Sequence, residues 1–231
     1  MPQVRATGYP AAVVFDAFGT IFDFAGPVIR HAAVLGNKAE PLIATWREKQ
    51  LQYTWLRSLA DRYADFERVT ADALDFALES LAIANPRLRG ELLALYHELP
   101  VFPDARRALE ELNALGVRAL ILSNGTGALL DANVRRAGIG HLVDALLSVD
   151  TVGIYKPSQR VYQMAVDAVG VHPGQIAFVS ANGWDAYAGA AFGFRTIWCN
   201  RAASPRERLP GTVAHELRSL GDLLGSLESR V

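Results

Sequence analysis

Ala11-Ala12-Val13-Val14-Phe15-Asp16-Ala17-Phe18-Gly19-Thr20 is the stretch from which the fold is read. Its short, wholly apolar run suits a strand covered on both faces, as in a parallel sheet. The run stops at a carboxylate, and a Gly-Thr turn follows. Val117–Leu122, Gln175–Val179 and Arg195–Trp198 repeat the pattern, with a weaker short run at Ala145-Leu146-Leu147. Helical patterns lie between them. Asp104–Leu115 carries apolar residues at Ala105, Ala108, Leu109 and Leu112 and stops at Gly116. Ala128–Ala137 and Arg160–Val169 end at Gly138 and Gly170, and Trp184–Ala191 precedes Gly193. This alternation predicts an α/β fold: a doubly wound, Rossmann-like parallel sheet with right-handed crossovers. Chemistry in such sheets collects at the carboxyl ends of the strands.

The stretch from about Asp23 to Pro100 breaks the alternation. It shows no convincing strand and reads as helical throughout, including a long pattern over Glu40–Ala64. It predicts a helical cap of residues 23–99 inserted after the first strand, with residues 1–22 and 100–231 as the core domain. Trp46, Tyr53, Trp55, Tyr63 and Phe66 predict a second small core there. Trp46 and Trp55 fall on roughly opposite sides of one helix at ~100° per residue. One side is expected to face the core domain and the other a partner subunit.

A length of 231 residues suits a large domain or a core plus an insertion. With 51% apolar and 20% charged residues the chain is too apolar for disorder. Its 23 basic and 24 acidic residues argue against a nucleic-acid binder built on a basic surface. The single Cys199 excludes an intrachain disulfide and a cysteine-rich zinc site, and its place beyond a strand predicts a buried structural thiol. No apolar run approaches the ~20 residues of a membrane helix. The first run is stopped by Asp16, too early and too charged for a signal peptide, so a soluble cytoplasmic protein is expected. The histidines at 31, 97, 141, 172 and 215 all fall outside the strand-end clusters. A Ser/His/Asp or Cys/His hydrolase therefore finds no support.

Four polar clusters close the strands. Asp16-Ala17-Phe18-Gly19-Thr20 offers a carboxylate fixed by the sheet as a nucleophile, with Thr20 able to bond it. Ser123-Asn124-Gly125 offers anion-binding groups at the start of a helix. Tyr155-Lys156-Pro157 offers a cation for a carboxylate. Ser180-Ala181-Asn182-Gly183-Trp184-Asp185 offers polar side chains that can face one pocket. Taken singly, these read as a turn-capping Asp, a helix N-cap, a surface Lys and turn chemistry.

Their order and shared location, with a helical insertion after the first strand, resemble the haloacid dehalogenase superfamily over residues 11 to 200. Trp46-Arg47-Glu48-Lys49-Gln50-Leu51-Gln52-Tyr53-Thr54-Trp55-Leu56-Arg57 is similar to the cap segment of the bacterial L-2-haloacid dehalogenases (type II). So are Leu147-Ser148-Val149-Asp150, Tyr155-Lys156-Pro157 and Ser180–Asp185. The resemblance implies hydrolysis of short (S)-2-haloalkanoic acids to (R)-2-hydroxy acids and halide. Asp16 would form an aspartyl ester with a single inversion at C2. Lys156 would hold Asp16 ionised; Thr20, Ser180 and Asn182 would position it and the hydrolytic water; Asp185 would act as base or orienter of that water. Arg47, Asn124 and Trp184 would cradle the halide. Ser123 would bind the substrate carboxylate, and Phe18, Leu51 and Phe66 would line the alkyl pocket. The superfamily also holds magnesium-dependent phosphatases, whose second Asp is replaced here by Phe18. Asp16 and Asp185 alone make a poor magnesium cage, so no metal and no cofactor are expected. A phosphatase and a catalytically silent ligand-binding member are the alternatives. The likeness also implies a homodimer. Glu48 departs from the Gln of the family pattern and places a carboxylate near an anionic substrate. Gly183 replaces a more usual small side chain.

Overall fold

The computed structural model describes residues 8–29 and 31–228. The outermost parts of the expected core segments, 1–7 and 229–231, lie outside the described residues. Six strands form one sheet: β1 (Ala12–Phe15), β2 (Arg118–Ser123), β3 (Ala145–Ser148), β4 (Ile176–Ser180), β5 (Arg195–Cys199) and β6 (His215–Leu217). Their spatial order is β3-β2-β1-β4-β5-β6 and every pairing is parallel. Every residue of β1 and β4 is buried, which is why both read as unbroken apolar runs. The order reverses between β1 and β4, so Asp16 and Ser180 leave the sheet side by side at the switch point.

Among the described residues, five α-helices follow β1: α1 (Ala25–Ile29), α2 (Ala32–Leu35), α3 (Ala39–Leu59), α4 (Phe66–Ser80) and α5 (Pro86–Leu95). The chain leaves and re-enters the sheet region through a paired neck, with Asp23 N–H donating to Pro100 C=O (2.8 Å) and Phe102 N–H to Ile21 C=O (3.0 Å). The helical pattern expected to reach Ala64 stops at Leu59. Asp61 takes a left-handed φ of 53°, which Asp tolerates better than most residues, and Asp65 caps α4 by accepting from Arg68 N–H at 2.8 Å.

The aromatic cluster expected as a second core is continuous with the first. Phe18, just past β1, stacks on Phe66 with ring centres 5.3 Å apart and meets Tyr96 edge-on at 5.8 Å. Trp46 is fully buried and donates its indole N–H to Thr70 C=O on α4 (2.9 Å). Trp55 packs edge-on against Trp184 of the sheet region at 5.4 Å. Trp46 thus faces the interior, while Trp55 is half-buried against Trp184; the exposed large apolar residues of α3 are Leu56 and Leu59.

The remaining helices are α6 (Pro103–Ala114), α7 (Gly127–Arg136), α8 (Gln159–Val169), α9 (Gly183–Phe192) and α10 (Leu223–Leu227). Leu217–Leu227 reads in the sequence as a packing helix without chemistry; in the structure Leu217 ends strand β6 and the α-helix is confined to α10. A three-residue edge strand reading His-Glu-Leu is too short and too polar to register as an apolar run. Cys199, the last residue of β5, is buried as expected, and burial pushes its thiol up to about 11.

Helix α9 carries Asp185 and lies hard against β4: a Cβ at Gly189 would stand 2.5 Å from the buried Phe178 ring. Gly189→Ala is therefore expected to destabilise the fold by about 1–3 kcal/mol through overpacking. Urea unfolding midpoints of variant and parent measure it.

Candidate active site

Asp16 sits one residue beyond β1, 7% exposed, with its backbone N–H donating to Val179 C=O at 2.8 Å. Its Oδ2 accepts from Thr20 Oγ1 (3.0 Å) and Asn182 Nδ2 (2.8 Å), and its Oδ1 from Lys156 Nζ (3.1 Å). Thr20 Oγ1 in turn accepts from Ala181 N–H (2.8 Å), tying the turn after β1 to the turn after β4. Lys156 comes from the loop before α8 and is 1% exposed. Its ammonium also donates to Asp185 Oδ2 at 2.9 Å, and the other oxygen of Asp185 accepts from Tyr162 OH at 2.8 Å.

Burial alone would lower the pKa of Lys156, but the adjacent Asp16 and Asp185 carboxylates outweigh it and hold the ammonium above its ordinary range. Asp185 is displaced upward, first because it is fully buried and then because Asp16 is close, while Lys156 pulls the other way. Burial, reinforced by the Asp185 charge, keeps the Tyr162 phenol protonated.

A cavity of about 510 Å³ opens between this cluster and α3. Phe18, Ile43, Arg47, Leu51 and Asn182 line it, and the exposed Glu48 stands at its side. Arg47 donates from Nη2 to Asn182 Oδ1 at 3.1 Å, so the residue that bonds the Asp16 carboxylate also bonds the α3 guanidinium.

Not every expected residue comes to this cavity. Phe66 backs Phe18 from behind instead of forming the wall. Ser180 Oγ accepts from Asn182 N–H (3.1 Å), ordering its own turn. Ser123 is fully buried and its Oγ accepts from Gly125 N–H (3.0 Å); Asn124 Oδ1 accepts from Lys156 N–H (3.0 Å), fixing the backbone of the lysine. Trp184, expected beside the halide, lies with Trp55 and Leu209 on a separate recess of about 360 Å³. Its edge-on packing with Trp55 holds it there. The empty Cβ position of Gly183 is taken up by Glu207, whose Oε1 stands 2.7 Å from it.

Three residues of the network were not singled out from the sequence: Tyr162, Gln50 and Tyr96. Tyr162 reads as one more buried position on the apolar face of α8, and nothing in the periodicity marks its hydroxyl as the partner of Asp185.

A model of the haloacid dehalogenase-like hydrolases matches residues 10–193, and the chain belongs to that family. The (S)-2-haloacid dehalogenase 1 of Pseudomonas sp. strain CBS-3 is 44% identical over 213 residues, covering 92% of this chain and 94% of that protein. A dehalogenase crystal structure with an intermediate complex superposes with a TM-score of 0.93 at 38% identity, covering 97% and 100% of the two chains. The L-2-haloacid dehalogenase of Xanthobacter autotrophicus with chloropropionic acid covalently bound superposes at 0.83 with 32% identity, covering 93% and 96%.

Lys156 and Tyr162 keep their protons in the folded chain at pH values where unfolded Lys and Tyr, near 10.5 and 10.0, lose them. The unfolded state then binds fewer protons, so stability falls as pH rises. The buried Tyr96 and Tyr155, also raised by burial, act in the same direction. The urea midpoint is expected to drop from about pH 10 upward, with a shallower drop in Tyr162→Phe.

Proposed function

We propose that the chain is an (S)-2-haloacid dehalogenase with Asp16 as nucleophile. The observation that carries this reading is the Asp16 carboxylate itself, held on Lys156, Thr20 and Asn182, the last of which also lines a cavity walled by the apolar Phe18. An oxygen of Asp16 attacks C2 of the substrate in line. The C–O bond forms as the carbon–halogen bond breaks, and both electrons of the latter leave with the halide. Arg47 receives that charge; a fixed donor at a desolvated site contributes about 3 kcal/mol to such a step. A halide departs as a stable anion, so the acid that a phosphate ester requires has no role, and Phe18 stands in its place.

Water then attacks the Asp16 carboxyl carbon. Asp185 takes one of its protons, the bond between the carboxyl carbon and the C2 oxygen breaks, and that oxygen takes the second proton of the water to give the (R)-2-hydroxy acid; Asp16 is left as a carboxylate and Asp185 releases its proton to solvent. Burial raises the basicity of Asp185, which suits it to that role. Thr20 and Asn182 hold Asp16 through both steps. Ser180 supports them by ordering the turn that carries Asn182. In this reading the reaction needs no metal: the Lys156 ammonium is shared by Asp16 and Asp185, the two carboxylates that a cation would have to use.

Residues 23–99 act as a cap that carries Arg47 and Leu51 over the strand ends. No helix among the described residues is long and apolar enough to cross a membrane. The protein pairs as a homodimer through the outer face of α3 and α4, where Leu56, Leu59 and Phe76 are exposed.

One turnover of enzyme in excess over L-2-chloropropionate in ¹⁸O water is expected to place label in Asp16, read by peptide mass analysis. Label found only in the product would mean that water attacks C2 directly. Asp16→Asn is expected to fold normally and to release no chloride above background. Chloride release by the parent is expected to persist in excess chelator, whereas a phosphatase would lose its activity there and would hydrolyse aryl phosphates when magnesium is restored.

A further inference from the structure

Gln50 is a fully buried amide one turn along α3 from Arg47. Its Oε1 accepts from Arg47 Nη1 at 2.7 Å. Its Nε2 donates to Thr70 Oγ1 at 2.7 Å and to Tyr96 OH at 2.9 Å. These three bonds use both amide protons and fix which way the amide points. The partners behind it are rigid: Thr70 lies within α4 and Tyr96, 3% exposed, is wedged among Phe18, Phe24, Trp46 and Phe66. The charge on Arg47 reaches the Tyr96 hydroxyl strongly enough to oppose the effect of burial on that phenol.

The guanidinium is thus gripped by two amides, Gln50 on one terminal nitrogen and Asn182 on the other. Neither carries charge. Glu48, on the same cavity, forms no ion pair with Arg47 among the described residues, although a carboxylate is the usual partner of a guanidinium. Arg47 is therefore oriented without being neutralised. An arginine facing an open cavity would otherwise sample many rotamers, or swing onto the nearest carboxylate.

We propose that Gln50 is a positioning residue for halide release: a neutral buried clamp that aims the full charge of Arg47 at the departing anion. The proposal rests on the assignment of Arg47 to the halide. Spacing favours the arrangement, because residues three apart on a helix are neighbours. Leu at position 50 would fill similar space but leave Arg47, Thr70 and Tyr96 each short of a partner. Glu would keep the shape and cancel the charge.

The test compares Gln50→Leu and Gln50→Glu with the parent and, for each, in an Arg47→Ala background. The measurements are single-turnover halide release from 2-bromo- and 2-chloropropionate, inhibition by added chloride, and thermal unfolding. Gln50→Leu is expected to slow chloride release about 10- to 100-fold, as misplacement of a catalytic group by about an ångström does. It should also widen the bromide-to-chloride rate ratio and weaken chloride inhibition, with no further change when Arg47 is absent. Gln50→Glu, nearly isosteric, should fold like the parent and weaken chloride inhibition as well. Unchanged rate ratio and chloride inhibition in the folded variants would overturn the proposal, as would an equal loss in the Arg47→Ala background. If Arg47→Ala itself leaves both readouts unmoved, the role of Arg47 falls and takes the clamp with it. If Arg47→Ala moves them and the Gln50 variants do not, only the clamp falls.

Discussion

One ammonium shared by two buried carboxylates governs this molecule. Lys156 is 1% exposed and stands 3.1 Å from Asp16 and 2.9 Å from Asp185. Removing the ammonium would leave two buried carboxylates facing each other without a counter-charge, at a cost of about 3–5 kcal/mol. The site therefore has to be assembled as a unit. The fold does so by bringing three chain segments, after β1, before α8 and after β4, to the point where the strand order reverses. Tyr162 completes the group by bonding the one Asp185 oxygen that Lys156 leaves open. The arrangement explains why a chain with so ordinary a composition carries two acids and a lysine where solvent does not reach.

A second layer of bonds joins the helices inserted after β1 to this group. Asn182 bonds Asp16 through its amide nitrogen and Arg47 through its amide oxygen. Tyr155, the neighbour of Lys156, donates its hydroxyl to Ala64 C=O at 2.6 Å, and Tyr63 OH donates to Asp150 at 2.6 Å. Contacts between the two parts of the chain thus reach Asn182, which bonds Asp16, and Tyr155, the neighbour of Lys156. The position of the inserted helices and the geometry at Asp16 are coupled through side chains that belong to both.

Much of this was legible in the residues. Unbroken apolar runs ending in Asp16 and Ser180 reported strands buried on both faces, and Gly stops reported the helix ends, because burial and backbone sterics act locally. The polar order Asp16, Lys156, Asp185 pointed to one cluster because successive strand ends share one edge of a parallel sheet. What depended on side-chain direction was hidden. Trp184 follows Asn182 by two residues, yet its ring turns to Trp55 instead of the cavity. Ser180 serves its own turn. Gln50 sits among polar helix residues and nothing in its neighbours reveals that it is fully buried. Short β6 lacked an apolar signature because an edge strand needs none. The end of α3 depended on a single residue, Asp61, adopting a conformation that sequence pattern does not encode.

The lone thiol at the end of β5 has a consequence for the survival of the protein. The 2-halo acids are alkylating agents, and in cysteine the thiolate is the form that attacks them. Cys199 is walled off from solvent and holds its proton to about 11, so at neutral pH it presents almost no thiolate for such a reagent to find. A chain acting as proposed, with Asp16 regenerated each cycle, is thereby spared a competing sulfur that would be modified once and for good.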